Sequence, residues 1–219
     1  MPFNKEVKDT MFKTLLQRWM CATTFLVATV AAAPVLAQSA PDALVKQVST
    51  EVIDTVKSDK DIQAGNINKI MALVDAKVMP HVNFTRMTAI AVGRPWRNAS
   101  DAQKQKLQDE FKSLLVRTYS GALTQVKEHT VQMKPLRAGA DDPEVVVRTE
   151  IKGRGDPIQL DYRMEKTGNG WKIYDVNVLG VWLADTSFKS QFSPIATNQG
   201  IDALIGNLVD LNKKAAAGS

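Results

Sequence analysis

Ile158-Gln159-Leu160-Asp161-Tyr162-Arg163-Met164-Glu165 alternates apolar and polar side chains without a fault. Successive side chains of a strand point to opposite faces, so the stretch reads as a β-strand with one buried and one wet face. The period of two extends outward from it. On the C-terminal side, Thr167-Gly168-Asn169-Gly170 reads as a hairpin turn, and residues 171–179 as a strand with apolar side chains on both faces. On the N-terminal side, Gly153-Arg154-Gly155-Asp156 is a turn. Before it, residues 144–151 form a strand with Val145, Val147 and Ile151 on one side and Arg148 and Glu150 on the other. Residues 130–137 make a first strand. Four strands joined by short turns predict an antiparallel meander.

Upstream of residue 129 the apolar period is 3.6. Leu44, Val45, Val48, Val52, Ile53 and Val56 mark an amphipathic helix over 41–58. A break over 61–65 precedes a shorter helix over 68–78, which Pro80 ends. Residues 84–92 form a third helix capped by Gly93, followed by a loop over 94–99. Ser100-Asp101-Ala102-Gln103 is a capping box. It opens a long helix to about residue 128, with Leu107, Phe111, Leu114, Leu115, Tyr119 and Leu123 on one stripe. Beyond the strands, Phe188, Phe192 and Ile195 suggest a short helix broken by Pro194, and Ile201, Leu204, Ile205, Leu208 and Leu211 a last one. The fold class is α+β, with helices packed on one face of a twisted four-stranded antiparallel sheet.

The first residues carry Lys5, Lys8, Lys13 and Arg18, then an apolar run over 19–33, then Pro34 and Val35-Leu36-Ala37. A positive start, a short apolar run and small residues at a cut site read as a secretory signal peptide. The run is shorter and more polar than the roughly 20 apolar residues of a membrane span. The expected domains are a cleaved signal at 1–37, one domain at 38–212 and a disordered tail at 213–219. Cleavage takes away four Lys/Arg and two Asp/Glu and turns the net charge of +5 into +3. That mild charge does not argue for nucleic acid. Cys21, the single cysteine, leaves with the signal, so no disulfide is expected.

Candidates for chemistry are few. His81 and His129 are far apart and no zinc-ligand spacing is present. Asp141-Asp142-Pro143 reads as a turn. Asp161 sits on the face opposite Leu160 and Tyr162 and is expected to be solvated, as is His129. Gly153-Arg154-Gly155 lacks the strand–helix context of a phosphate loop. No catalytic set emerges, and no enzyme, metal or cofactor is expected. The sheet face of Val145, Val147, Leu160, Tyr162 and Met164 meets helices that also carry large side chains. Periodicity does not distinguish a filled core there from a hollow one.

Several segments together resemble the MlaC family, also called the toluene-tolerance family. They are Ala91-Val92-Gly93-Arg94-Pro95-Trp96-Arg97 leading into Ser100-Asp101-Ala102-Gln103, then Phe111, Leu114-Leu115, Tyr119 and Leu123. Leu160-Asp161-Tyr162-Arg163-Met164, Gly170-Trp171-Lys172-Ile173-Tyr174-Asp175-Val176, Gly180-Val181 and Gly200-Ile201-Asp202-Ala203-Leu204-Ile205 follow in the family's order. Trp182-Leu183-Ala184-Asp185-Thr186 departs from the serine-led stretch of many relatives.

The resemblance implies a nuclear-transport-factor-like fold enclosing an apolar lipid cavity. It also implies a monomeric periplasmic phospholipid carrier. Its partners would be an outer-membrane lipoprotein–porin complex and an inner-membrane ABC transporter with an MCE-domain subunit, and its role the upkeep of outer-membrane lipid asymmetry. The acyl chains would then lie between sheet and helices. Val145, Val147, Leu160, Tyr162, Met164, Tyr174 and Val176 would line them from the sheet, and Met87, Ile90, Phe111, Leu115 and Tyr119 from the helices. Arg94 and Arg97 would meet the phosphate at the mouth. Rival readings are a carrier of another lipid such as a hopanoid, a non-enzymatic adaptor of a membrane complex, and a lipid-modifying enzyme.

Overall fold

The computed structural model describes residues 39–139, 142–153 and 155–217. The expected signal peptide lies outside the described residues, as do Asp141 and Arg154 of the two predicted turns. Five strands form one antiparallel meander in sequence order: β1 (Thr130–Met133), β2 (Glu144–Lys152), β3 (Ile158–Thr167), β4 (Gly170–Val178) and β5 (Val181–Trp182). The fifth strand was not expected, because two residues are too short to show an alternation. β1 stops at Met133 rather than 137. Val145 faces Met164, Val147 faces Tyr162, and Tyr162 in turn faces Val176. These side chains therefore share one face of the sheet.

β4 answers the ambiguity of its sequence with a β-bulge. Arg163 pairs with Asp175 but Met164 pairs with Ile173, so Tyr174 is an extra residue in the ladder. Ile173 and Val176 stay on the apolar face, while Tyr174 and Asp175 both turn to the other one. The expectation that Tyr174 lines the apolar face is corrected by this shift. Its hydroxyl donates to Glu144 Oε2 at 2.8 Å, and the Arg86 guanidinium lies 3.6 Å above its ring centre.

The helices follow from their caps. α1 (Pro41–Ser58) starts with proline at N1, where a missing N–H costs nothing. Asp59 Oδ1 accepts from the N–H groups of Asp61 and Ile62 and opens α2 (Lys60–Gln63), a short helix within the predicted break. α3 (Ile67–Leu73) runs into a π-helical turn, Val74–Val78, and then a 3₁₀ turn, Met79–His81. Together they replace the single helix expected over 68–78. α4 (Phe84–Val92) ends at Gly93, whose φ of +77° suits glycine and whose added Cβ would meet Ser193 Oγ at 2.9 Å. A 3₁₀ turn, Arg94–Asn98, leads to α5 (Asp101–Gln125), which begins at the predicted capping box.

After β5 a π-helical turn, Leu183–Phe188, continues as α6 (Lys189–Asn198). Pro194 sits inside α6 and does not break it. Its ring leaves the Ser190 carbonyl without a donor, and Ser190 is exposed to water. α7 (Ile201–Ala217) includes Lys213 to Ala217, so the expected disordered tail is helical as far as the described residues reach.

Helices cover the Val145 face of the sheet. Leu44, Val45 and Val48 of α1 pack on Val145, Val147, Met164 and Ile173. α4, α5, α6 and α7 build a second cluster around Phe111, whose ring contacts those of Phe84, Phe188 and Phe192 at centre distances of 4.9–5.6 Å. The C-terminal half of α1 meets α2, α3 and Val116 of α5 in a third. At the open edge of β4, Val82 forms a bridge to Ile173 and the Asn83 N–H donates to the Ile173 carbonyl at 2.7 Å.

The opposite face is polar but not simply solvated. Asp161 is only 7 % exposed, because Arg148 and Asn177 flank it across the strands and Gln159 donates to its Oδ2. His129 is likewise half-buried against Gly153, where a Cβ would collide with the imidazole. Arg86 reaches from α4 to both Glu165 and Glu144. Asp175 is fully buried and accepts from the N–H groups of Val176, Ala184 and Asp185. Arg163 lies 3.6 Å from it, 3.2 Å from Asp185, and over the Trp182 ring.

Burial pushes the Asp175 carboxyl upward, against the pull of its three N–H donors and Arg163. Replacing it by alanine leaves the three N–H donors without an acceptor in the interior and leaves Arg163 with Asp185 as its one carboxylate partner among the described residues. Asp175→Ala is expected to cost about 3 kcal/mol of unfolding free energy, read from urea denaturation. The Tyr174 phenol is pushed up to about 12, by burial first and then by its bond to Glu144. A group whose folded pKa is raised contributes stability below its unfolded value of 10 and loses it as pH rises toward 12. Wild type should therefore lose stability relative to Tyr174→Phe across that window, measured by urea midpoints at each pH.

Candidate functional site

The predicted lining residues separate by exposure. Met87, Phe111, Val145, Val147 and Met164 are buried within the packed clusters and leave no accessible surface of consequence. Ile90, Leu115, Tyr119, Leu160, Tyr162 and Val176 are only half-buried. Five of them are placed by register or by packing, while Tyr119 of α5 belongs to none of the packed clusters. Leu160, Tyr162 and Val176 share the helix-covered face of the sheet by register. Ile90 of α4, Leu115 of α5 and Val176 lie at the margin of the Phe111 cluster, and Val176 and Tyr162 at the margin of the α1 cluster. The core of a domain is commonly one contiguous cluster. Here the described residues form three closed clusters, two of them bridged by the partly buried Val82 and Val176, with apolar side chains of intermediate exposure at their margins.

The Tyr162 hydroxyl is engaged with Ser49 of α1 and Thr149 of β2, while the residue as a whole keeps accessible surface. Burial raises its pKa above the ordinary tyrosine value, and the two hydroxyl partners work against that rise. Burial alone raises the Tyr119 phenol. Both stay neutral near pH 7, so the apolar strip carries no charge of its own from them.

Arg94 and Arg97 are exposed on the 3₁₀ turn beside α6, and no carboxylate among the described residues is within ion-pair distance of either. Trp96 between them joins the margin of the Phe111 cluster, with Lys104 Nζ 5.9 Å from its ring centre. The structure does not bring the two arginines into the Leu160–Tyr162 strip. An open groove of about 510 Å³ runs along α6, lined by Asp185, Lys189, Ser190, Ser193 and Thr197 among others. Asp185 and Lys189, 3.1 Å apart, place an ion pair in its wall.

Val178, Met79, Val82 and Leu183 are half-buried apolar residues that sequence reasoning did not single out. Val178 was legible, since it is two residues beyond Val176 and faces Leu160. The polar set of Arg86, Glu144 and Glu165 joins residues 58 and 79 positions apart, and only the fold brings them together. Glu144 is held below the usual glutamate range by its bonds from Arg86 and then Tyr174. Burial works against the Arg86 charge, but its two glutamates outweigh that and raise its pKa. The set is mutually satisfied and aimed away from the apolar face. Among the described residues no group of His, Cys, Asp and Glu is placed to hold a metal ion, and no helix is long and apolar enough to cross a membrane.

Comparison with known proteins places this geometry. A solved structure of a phospholipid-binding protein from Ralstonia solanacearum, in complex with a phospholipid, superposes with a TM-score of 0.79 at 45 % sequence identity. The similarity covers 81 % of this chain and 99 % of that one. The toluene tolerance protein ttg2D of Pseudomonas putida is 25 % identical over 181 residues, covering 81 % of this chain and 83 % of that protein. The family model of the MlaC protein matches residues 46–210. A match over that much of the sequence, together with a shared α+β fold, means that this chain belongs to the MlaC family.

Proposed function

We propose that the chain is a soluble, monomeric periplasmic carrier of phospholipid that moves lipid between outer- and inner-membrane complexes and so maintains outer-membrane lipid asymmetry. The observation that carries this reading is the half-buried set of Leu160, Tyr162 and Val176 on the helix-covered face of the sheet, with Ile90 and Leu115 of the helices at the margin of the Phe111 cluster; half-buried Tyr119, one turn beyond Leu115 on α5, is assigned to the same lining. A fully collapsed core would have closed over them. The acyl chains lie along this set, between β3–β4 and the helices α4 and α5. The five fully buried residues form the frame around it. The phospholipid bound by the Ralstonia solanacearum relative supports the same class of cargo here.

Free energy sets the need for such a carrier. Each methylene exposed to water costs about 0.8 kcal/mol, and two acyl chains hold about 30 of them, so a bare crossing costs roughly 20–25 kcal/mol. Enclosing the tails removes that barrier. The headgroup gains nothing from burial and stays at the surface. There Arg94 and Arg97 offer exposed guanidinium groups with no carboxylate among the described residues within ion-pair distance. Signal-peptide cleavage near Ala37 frees the domain in the periplasm. The partners are the outer-membrane lipoprotein–porin complex and the inner-membrane ABC transporter with its MCE-domain subunit. The carrier performs no covalent chemistry and needs no cofactor beyond its cargo.

A charge placed in the strip tests the reading. Leu160→Asp should keep the helix and sheet content in circular dichroism but reduce the lipid co-purifying with the protein about tenfold or more, read by native mass spectrometry. Met164→Asp should instead unfold the domain, because Met164 is 0 % exposed under α1. Full lipid loading of Leu160→Asp overturns this placement of the cargo. A hopanoid in the organic extract of wild type redirects the cargo, and an empty wild-type protein removes the carrier reading in favour of an adaptor.

A further inference from the structure

Leu179 combines two unfavourable features. It is 68 % exposed, and its φ of +52° makes it the single non-glycine residue with positive φ among those described. It occupies the first of two central positions in the turn between β4 and β5, followed by Gly180 at φ +92°. A two-residue turn with positive φ at both central positions favours Asn-Gly, because asparagine tolerates the left-handed region and a branched apolar side chain does not. Gly180 obeys that rule and Leu179 breaks it. A local rule broken with no packing gained in return marks a site with another task.

The neighbours extend the oddity. Ile158 and Val181, 38 % and 45 % exposed, are the other large exposed apolar residues of the described chain. All three share one end of the sheet. Ile158 opens β3, the Leu179 N–H donates to the Gln159 carbonyl at 3.2 Å, and Val181 pairs with Val178. Val178 in turn pairs with Leu160. The exposed apolar tip is thus one strand position away from the half-buried strip assigned to the acyl chains.

We propose that this β4–β5 turn is a bilayer-contacting tip, with Leu179 inserting among acyl chains while lipid passes along Val178 and Leu160. Three partly exposed side chains offer only a fraction of the roughly 800 Å² per partner that a stable protein interface buries. They are also too few to hold a second copy of the chain. A bilayer has no fixed shape to match, so a lone leucine finds favourable burial there. The tip rests on the lipid-carrier reading for its purpose, although its geometry stands without it.

The substitution Leu179→Asn separates a structural from a membrane role. Asparagine suits the turn, so the variant should melt about 2–4 °C higher than wild type. Its lipid loading, read by native mass spectrometry, should be unchanged. Co-flotation with phosphatidylethanolamine–phosphatidylglycerol vesicles, and transfer of bound phospholipid to them, should fall about fivefold to tenfold. Val181→Thr and Ile158→Thr, both strand-compatible, should reduce transfer in the same direction by less. Wild-type rates of flotation and transfer in Leu179→Asn overturn the proposal. So does a defect seen only when a membrane-protein partner is added, which makes the tip a protein contact. A drop in melting temperature with loss of loading also overturns it, since Leu179 would then be a packing residue. Failure of the carrier reading shows separately, as a wild-type protein without lipid.

Discussion

Tyr174 is one residue more than the β3–β4 ladder accommodates, and the bulge that absorbs it governs both faces of the sheet. By letting Ile173 and Val176 both face the helices, it keeps the apolar face continuous across β2, β3 and β4. By sending Tyr174 and Asp175 together to the other face, it creates the two posts to which the flanking helices are tied. Arg86 stacks on Tyr174 and so fixes α4 against the sheet edge. Asp175 gathers the N–H groups of Ala184 and Asp185 and so fixes the turn that launches α6. A buried carboxylate is costly to desolvate, and it persists here because three backbone donors and a guanidinium converge on it.

With the helices held from the polar side, the apolar side need not close completely. A self-contained core would trade every half-buried aliphatic residue for contact with a neighbour. This fold instead keeps three closed clusters that carry the stability and leaves Leu115, Leu160, Tyr162 and Val176 incompletely covered. The division is chemically economical. Phe111 and its ring of phenylalanines hold the helical layer, and the half-buried strip leaves apolar surface that is better covered than left to water. Placing the Arg86 and Arg163 ion pairs on the outer face keeps those charges off the strip.

Much of the secondary structure was legible because it depends on local patterns. The alternation at Ile158–Glu165, the capping box at Ser100, the helix over 84–92 and its glycine cap all rest on neighbours a few residues apart. Local patterns failed where a longer-range partner intervened. Pro194 stays within a helix, Asp161 is buried rather than solvated, and β5 exists because β4 offers it an edge. The candidate lining was legible only as a set of inward positions. Phe111 and Leu115 lie on one helical stripe, yet one is sealed among aromatic rings and the other is half-open.

The amino-acid sequence by itself determined the α+β class, the antiparallel meander and the apolar face, since periods of 2.0 and 3.6 follow directly from backbone geometry. Only the tertiary structure decided where β4 slips by one residue, which side Tyr174 takes, and which apolar residues are sealed or left half-open. Those outcomes depend on how elements up to about a hundred residues apart meet, and hydrophobic periodicity records a direction toward the interior without recording whether that interior is filled. The Ile158–Glu165 alternation therefore announced a buried face, and packing against α1, α4 and α5 determined that the face is only partly closed.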